Sequence, residues 1–435
     1  MSSLLPHGHL DVINNQLCIS GIPCTEIVRE YGTPTYVYNL QRVRENYRRL
    51  RDSLTRYSPV DVTVYYAVKA NYNPSILKTL ENEGAHADVV SPMEAKLALD
   101  HGYNSDRIMF TGTSVTDHTM RYLLDENIII NIDSFSQMRR LAKMAPDDLP
   151  VSIRWNPGEG AGFNPKVITA GAESHGRPIK FGIEESKVLD LCKEALDLGL
   201  RPIGLHQHIG SGWTGDDVNH FLETVDATID MAVKMSEVLG YSLEMIDLGG
   251  GPGIPYELEQ PEFPVDEYGE GICERIIESD LGIERICVES GKYIVGDTGI
   301  LLTSVNTVEE KNSNLIVGVD AGFNTLIRPA FYGSTEEDIF KETYHHIMVV
   351  DRVEGPKAPC TLAGPLCETG DLLAIKRKMT VPIEGETLAI LSAGAYGYSM
   401  SSVYNLQPRP AEVTVPGPIL SSRREEYSDL IRLFS

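Results

Sequence analysis

The stretch Val62-Thr-Val-Tyr-Tyr-Ala-Val-Lys-Ala-Asn-Tyr-Asn-Pro-Ser-Ile-Leu-Lys-Thr-Leu-Glu-Asn-Glu-Gly-Ala-His-Ala-Asp-Val-Val90 contains a pattern that repeats along most of the chain. An apolar run without charges ends at Lys69, and a second apolar run begins at residue 87. Between them, Pro74 opens a segment whose apolar residues share one helical face, and Gly84 closes it. The stretch therefore predicts a strand, a helix and a second strand parallel to the first.

Similar apolar, β-branched runs recur eight times, and most are followed by a helix-like segment. They span residues 62–68, 87–90, 107–111, 128–132, 151–155, 203–208, 245–248 and 285–289. Strands that alternate with helices form a parallel sheet, and eight such units close a barrel. We therefore predict an α/β fold with a (β/α)8 TIM barrel, and a doubly wound sheet is the alternative.

The alternation of strand-like and helix-like segments stops after residue 299. Apolar runs with Gly- and Pro-containing turns follow, and a helical period returns only at 423–434. These runs span residues 315–319, 347–353, 388–391 and 412–415. We predict an N-terminal segment, 1–35, that packs with the β domain, a barrel over 36–298 and a C-terminal all-β domain over 299–435.

Composition excludes several classes of protein. The 435 residues include 38 Lys and Arg against 62 Asp and Glu, which gives a net charge of −24 and argues against nucleic-acid binding. No apolar run approaches the length of a membrane span, so no membrane partner is expected. Seven scattered cysteines without a Cys-x-x-Cys pair argue against a disulfide framework or a structural zinc site. A reducing cytoplasm is the expected location.

Reactive residues stand where the predicted barrel strands end, which is where the active site of a TIM barrel lies. Lys69 ends the first strand, and burial there would lower its pKa and leave a nucleophilic amine. An ion pair with a carboxylate is the alternative. Glu289 ends the eighth strand, where it could hold a pyridine nitrogen protonated or form a buried ion pair.

Two further strand ends carry candidate binding groups. Gly249, Gly250 and Gly251 let backbone N–H groups approach an anion such as phosphate, although a structural tight turn fits equally well. His206 and His208 lie on one face of a strand. They could chelate a metal, stack on a flat cofactor or form ordinary hydrogen bonds in the core.

The β-rich part adds an arginine, a cysteine, an acid and tyrosines on glycine-containing loops, within 320–332, 364–371 and 392–402. Taken together, the chain offers an amine nucleophile, a phosphate loop, a stacking ring, an acid for a pyridine and cations for a carboxylate. This inventory suits pyridoxal phosphate chemistry on an amino acid.

The chain resembles the diaminopimelate decarboxylases, a family within the barrel-type, alanine racemase-like pyridoxal phosphate decarboxylases. Ten ordered motifs carry the resemblance: Tyr66-Ala-Val-Lys-Ala-Asn71, Ala87-Asp-Val-Val-Ser91, Lys180-Phe-Gly182, His206-Gln-His-Ile-Gly-Ser-Gly212, Gly249-Gly-Gly251, Glu289-Ser-Gly-Lys292, Val319-Asp-Ala-Gly322, Arg328-Pro-Ala-Phe-Tyr332, Cys367-Glu-Thr-Gly-Asp371 and Gly394-Ala-Tyr-Gly397.

The resemblance implies pyridoxal 5'-phosphate as the cofactor, bound covalently by Lys69. The cofactor-binding residues it implies are Lys69, His208, Ser211, Gly249, Gly250, Gly251, Glu289, Ser290, Gly291, Lys292 and Tyr396. It implies Lys292, Arg328, Tyr332, Glu368 and Tyr396 as substrate-binding residues. Cys367 would donate a proton, and with Glu368 it would reach into the neighbouring subunit's site, so a homodimer with shared active sites is expected.

The implied reaction is decarboxylation of meso-2,6-diaminopimelate to L-lysine and CO2, the last step of lysine biosynthesis. Lys292 departs from the family, which usually has arginine there, and lysine lacks the planar fork that binds a carboxylate at two points. Val403 is a second departure, in Ser401-Ser-Val-Tyr-Asn405. The first departure keeps other substrates open: D-lysine, D-ornithine, arginine or a carboxylated polyamine. A racemase, a metal-dependent barrel hydrolase and a catalytically silent regulatory homologue are further alternatives.

Overall fold

A computed structural model describes residues 9–257, 259–279, 281–332 and 345–434. The chain begins with a small antiparallel sheet, followed by a helix, a strand that joins another sheet, and a long helix. These elements are β1 (Leu10–Ile13), β2 (Gln16–Ile19), β3 (Ile22–Pro23), α1 (Cys24–Tyr31), β4 (Thr35–Asn39) and α2 (Leu40–Thr55).

The middle of the chain alternates strands and helices. In chain order the elements are β5 (Asp61–Ala67), α3 (Pro74–Asn82), β6 (His86–Val89), α4 (Pro92–Asp100), β7 (Ile108–Phe110), α5 (Asp117–Asp125), β8 (Ile129–Ile132), α6 (Phe135–Ala142), β9 (Leu149–Asn156), β10 (Glu173–Ser174), β11 (Arg177–Pro178), β12 (Ile183–Glu184), α7 (Glu185–Asp197), β13 (Leu200–His206), α8 (Val218–Leu239), β14 (Met245–Asp247), α9 (Val265–Ser279), β15 (Arg285–Ser290) and α10 (Lys292–Val295).

Eight of these strands close into a parallel barrel in the order β5, β6, β7, β8, β9, β13, β14, β15 and back to β5. Each predicted run corresponds to one of them. The TIM-barrel prediction is therefore confirmed, and the doubly wound alternative is wrong. Local chemistry sets the helix starts as predicted: Pro74 opens α3, where the Asn73 side chain accepts a hydrogen bond from the Ser75 N–H at 3.0 Å.

The C-terminal region is a β-structure, as predicted. Its elements are β16 (Gly299–Lys311), β17 (Asn314–Val319), α11 (Arg328–Tyr332), β18 (Ile347–Val349), β19 (Lys357–Ala363), β20 (Leu372–Thr380), β21 (Thr387–Ile390), β22 (Ala411–Val415), β23 (Ile419–Ser422) and a final helix, Tyr427–Ile431. One sheet runs β20, β19, β17, β16, β4, β22, β23, and β21 joins β16 and β18. Four strands, β16, β19, β20 and β23, were not among the predicted runs.

The N-terminal segment packs against this second sheet. Leu17, Ile19 and Ile27 share a buried apolar cluster with Ile300 and Val413. Strand β4 also belongs to that sheet, because it pairs with β16 and β22. The proposed division at residue 36 stays a prediction. Within the described ranges, no helix combines the length and apolarity that crossing a membrane requires.

Candidate active site

A cavity opens at the carboxyl ends of the barrel strands. It is lined by Ala67, Lys69, His208, Ser211, Gly250, Gly251, Pro252, Glu289, Gly291, Lys292 and Tyr396. Nine of the eleven predicted cofactor residues are in this set, and the other two, Gly249 and Ser290, are chain neighbours of its members. The Ser290 hydroxyl is buried and has no hydrogen-bond partner among the described residues.

Lys69 lies on a short turn, Val68–Ala70, that follows β5. Its Nζ donates a hydrogen bond at 2.5 Å to Oδ2 of Asp88, which lies on β6 and is fully buried. Burial alone would lower the pKa of Lys69, but the charges of Asp88 and Glu289 outweigh it and raise the pKa. The predicted lowering is therefore wrong, and the alternative, an ion pair with a carboxylate, is what the structure contains.

His208 faces the glycine loop. The Gly250 N–H donates to its Nδ1 at 3.2 Å, and burial together with Arg154 lowers the pKa of His208 to about 3. The ring is therefore neutral. His206 lies apart from it, with Nε2 3.2 Å from Oε1 of Glu289. In the described part of the chain, the side chains spaced to hold a cation are His206, Asp247 and Glu289, a set without His208.

The glycine loop forms a cradle that packs too closely on its neighbours to carry side chains. A Cβ at Gly250 would collide with the carbonyl oxygen of Glu289, and one at Gly251 would collide with the ring of Trp213. The N–H groups of Ser211 and Gly251 have no acceptor among the described residues. Free N–H groups on a glycine loop beside the cavity fit an anion such as a phosphate.

Glu289 is a buried carboxylate at the base of the cavity. Its Oε1 accepts a hydrogen bond from the Thr111 hydroxyl at 3.2 Å, and Thr111 in turn accepts one from the Asn131 amide at 2.8 Å. Burial would raise the pKa of Glu289, but His206 and Lys69 outweigh it and hold the pKa below its usual range. The group is therefore charged, as the partner of a protonated pyridine nitrogen must be.

Two buried basic side chains lie around the ring of Phe163. Lys292, on the cavity wall, has its Nζ 4.0 Å from the ring centroid, and the Arg328 guanidinium is 5.4 Å away. The Arg328 guanidinium is also 5.3 Å from the ring centroid of Tyr332. Burial and the nearby Arg328 lower the pKa of Lys292. Within the described ranges, Nε and Nη2 of Arg328 have no hydrogen-bond partner, and neither side chain pairs with a carboxylate. An anionic ligand would supply the partner that these two side chains lack.

Tyr396 comes to the cavity from the β-structure. Its N–H donates to the Ala70 carbonyl at 2.8 Å, and the Asn71 side chain donates to the Gly394 carbonyl at 2.9 Å. Burial raises the pKa of Tyr396 to about 12, so its hydroxyl is protonated. The loop that carries Tyr396 is thus attached to the turn that carries Lys69.

Cys367 and Glu368 do not line this cavity. Both are exposed, and Cys367 is the only exposed cysteine of the seven. Their side chains bond to Tyr404 and Asn405, which come from the loop before β22. The sequence motifs did not indicate Tyr404, Asn405 or Phe163 as parts of a site.

The fold and the cavity define a class, a barrel enzyme whose cavity contains a lysine and a glycine loop with free N–H groups. A family model described as "Pyridoxal-dependent decarboxylase, pyridoxal binding domain" matches residues 40–296. A diaminopimelate decarboxylase of Methanothermobacter thermautotrophicus is 44% identical over 96% of this chain and 95% of that one. The chain belongs to the pyridoxal-dependent decarboxylases, and within them to the diaminopimelate decarboxylase family.

Two further comparisons indicate the same family. A diaminopimelate decarboxylase of Archaeoglobus fulgidus is 36% identical over 95% of this chain and 96% of that one. The crystal structure of diaminopimelate decarboxylase from M. jannaschii in co-complex with L-lysine matches with a TM-score of 0.88 at 30% identity, and the match covers 98% of each chain. The protein is therefore a decarboxylase that uses pyridoxal phosphate.

Proposed function

We propose that the protein decarboxylates meso-2,6-diaminopimelate to L-lysine and CO2, the last step of lysine biosynthesis. The observation that carries the proposal is the pair of buried basic side chains, Lys292 and Arg328, beside the lysine-containing cavity. Diaminopimelate keeps a second carboxylate after one leaves, whereas D-lysine, D-ornithine and arginine have none left. An anion site that persists through the reaction therefore favours diaminopimelate.

The cofactor roles follow from the chemistry of the cavity. When bound, pyridoxal phosphate supplies an electron-poor ring that accepts the electron pair released by the departing carboxylate. Lys69 would hold the cofactor covalently, the neutral His208 would pack on its ring, and Glu289 would keep a proton on its nitrogen. The N–H groups of Ser211 and Gly251 would bind its phosphate, with Gly249, Gly250, Ser290 and Gly291 as the surrounding cradle.

The substrate roles fall on residues from both parts of the chain. Arg328 and Tyr332 would bind the distal carboxylate, and Lys292, which lies on the cavity wall, would contribute charge to the phosphate or to that carboxylate. Tyr396 would contact cofactor or substrate with its protonated hydroxyl. Cys367 would donate the proton that replaces CO2, and Glu368 would accept a hydrogen bond from the distal amino group.

The exposure of Cys367 and Glu368 supports a homodimer with shared active sites. A proton donor must come within hydrogen-bond reach of the reacting atom, yet these residues do not line the cavity of their own chain. A second copy of the chain could present them to that cavity. All seven cysteines are free thiols, which supports a reducing compartment such as the cytoplasm.

The substrate assignment is tested by measuring CO2 released from meso-diaminopimelate, D-lysine, D-ornithine and arginine in parallel. We expect release from diaminopimelate alone, and Lys69→Ala protein serves as the control that should release none. Release only from a substrate with a single carboxylate would overturn the assignment and would make Lys292 the basis of a different specificity.

Complementation tests the shared sites. Lys69→Ala and Cys367→Ala proteins are each inactive alone if the proposal holds. Mixed and allowed to exchange subunits, half of the dimers are hybrids with one intact site each, so about a quarter of wild-type activity should return. No recovery in mixtures in which hybrid dimers are detected would contradict a shared site.

A further inference from the structure

Four side chains from two loops of the β-structure form one hydrogen-bonded cluster. The Tyr404 hydroxyl donates to Oε1 of Glu368 at 2.6 Å and lies 3.7 Å from Sγ of Cys367. The Asn405 side chain contacts Cys367 at two points: its Nδ2 donates to Sγ at 3.3 Å, and its Oδ1 accepts the Cys367 N–H at 3.1 Å. The two side chains proposed to act on the substrate, Cys367 and Glu368, are thus both held by the dipeptide Tyr404-Asn405.

Each loop also has contacts outside the cluster. On one side, buried Asp371 accepts the N–H groups of Phe323 and Leu366, both at 2.7 Å. On the other side, the Tyr404 ring packs on Phe323 with centroids 5.6 Å apart. Asn405 has a φ of 54°, in the left-handed region, which turns its amide towards Cys367. These contacts fix the distance between the loops, and Tyr404 and Asn405 fix the side chains.

We propose that Tyr404 and Asn405 are positioning residues that set the orientation of Glu368 and Cys367 before the partner subunit's substrate binds. The inference rests on the proposed function of these two groups in a shared site. Tyr404 occupies one oxygen of Glu368 and leaves the other for an ammonium group. Asn405 donates to Sγ, so the S–H hydrogen is directed away from the amide. Exposed side chains fixed in advance lose less conformational freedom on binding.

Conservative variants of the intact cofactor-loaded enzyme separate positioning from folding. Tyr404→Phe keeps the ring against Phe323 and removes the hydroxyl, and Asn405→Gly keeps the left-handed backbone and removes the amide. Tyr427→Phe is the matched control, because Tyr427 is 71% exposed on the final helix. The measurements are kcat and KM for meso-diaminopimelate, the dissociation constant of L-lysine by calorimetry, and the melting temperature.

The two positions should have different effects. We expect Tyr404→Phe to weaken L-lysine binding about tenfold, since a hydrogen bond to a charged group has been lost. We expect Asn405→Gly to lower kcat roughly tenfold with little change in KM, since the proton donor is misplaced and the ligand contacts remain. Melting temperatures should stay near that of the wild type, and the control should match wild type throughout.

A double-mutant cycle shows whether Tyr404 acts through Glu368. We expect the double variant of Tyr404→Phe and Glu368→Gln to bind L-lysine no more weakly than Glu368→Gln alone. Additive losses, or a Tyr404→Phe enzyme equal to wild type, would overturn the positioning role even if Asn405→Gly does not fold. Failure of the wild type itself to release CO2 from diaminopimelate would instead refute the proposed function.

Discussion

Replacing Asp88 by asparagine should shift the reactivity of Lys69 to lower pH. The two charged groups are 2.5 Å apart, and Asp88 is fully buried whereas the Lys69 side chain is 34% exposed. At an effective dielectric constant of about 20, this distance corresponds to a gross attraction of ~7 kcal/mol. Solvent screening of Lys69 and the cost of burying Asp88 reduce the net value to about 1–3 kcal/mol, or one to two pKa units.

The sign of the stability effect follows from the raised pKa. Because the pKa of Lys69 in the folded protein lies above its usual value of 10.5, the ion pair stabilises the fold below pH 10.5 as long as Asp88 is ionised, and burial raises the pKa of Asp88. This stabilisation is lost as the pH rises through the folded value. Asp88→Asn should therefore lower stability at neutral pH, and the difference from wild type should vanish in strong alkali, where Lys69 is neutral, and in acid, where Asp88 is protonated.

The assay measures by absorbance how fast cofactor-free protein binds pyridoxal phosphate, at pH values from 6.5 to 9. Capture requires the neutral amine, so the profile of Asp88→Asn should move one to two units down in pH, with a faster rate at neutral pH. Asp100→Asn, at an exposed acid that pairs with Lys96 at 3.3 Å, is the control. A profile that stays in place, or moves up, would refute the assignment of Asp88 as the group that holds Lys69 charged.

Three further outcomes are expected. Gly250→Ala should weaken pyridoxal phosphate binding by about a hundredfold in equilibrium dialysis, because its Cβ would meet the carbonyl of Glu289. The control Gly215→Ala, whose Cβ would have ordinary contacts, should bind the cofactor normally. Equal affinities of the two variants for pyridoxal phosphate would contradict the cradle. Arg328→Met should raise KM for diaminopimelate by about a hundredfold while the cofactor stays bound, because the distal carboxylate of the substrate would lose the guanidinium that pairs with it. An unchanged KM would exclude Arg328 from the substrate site. Glu289→Gln should lower kcat by roughly a hundred- to a thousandfold with L-lysine binding retained, because the pyridine nitrogen loses its charged partner, and a near-normal kcat would contradict that role.

The sequence was sufficient for the barrel because each strand is a mostly apolar run and most of them are followed by a helix with its own start and stop signals. Strand β20 was missed because it carries Lys376, Arg377 and Lys378, so its pattern is not apolar even though its alternate residues are buried. Strand β4 lies in the second sheet by its pairing with β16 and β22, which local sequence does not encode. Long-range pairing decides such cases.

The cavity was predictable where residues stand at strand ends, because barrel geometry brings strand ends together. The pKa of Lys69 was not predictable, because it depends on the distance between Lys69 and Asp88. Only the register of β5 with β6 determines that distance. Phe163, Tyr404 and Asn405 lie on loops without a repeating pattern, and their contacts depend on how those loops pack.

Under the proposed function, Lys69 binds pyridoxal phosphate covalently in this cavity. Purified protein should be treated with borohydride, digested and analysed by mass spectrometry, with its visible absorption spectrum recorded before and after reduction. We expect an absorption band that reduction removes and a phosphopyridoxyl group on Lys69 alone. Modification of another lysine such as Lys292, or no modification after pyridoxal phosphate is added, would contradict the account.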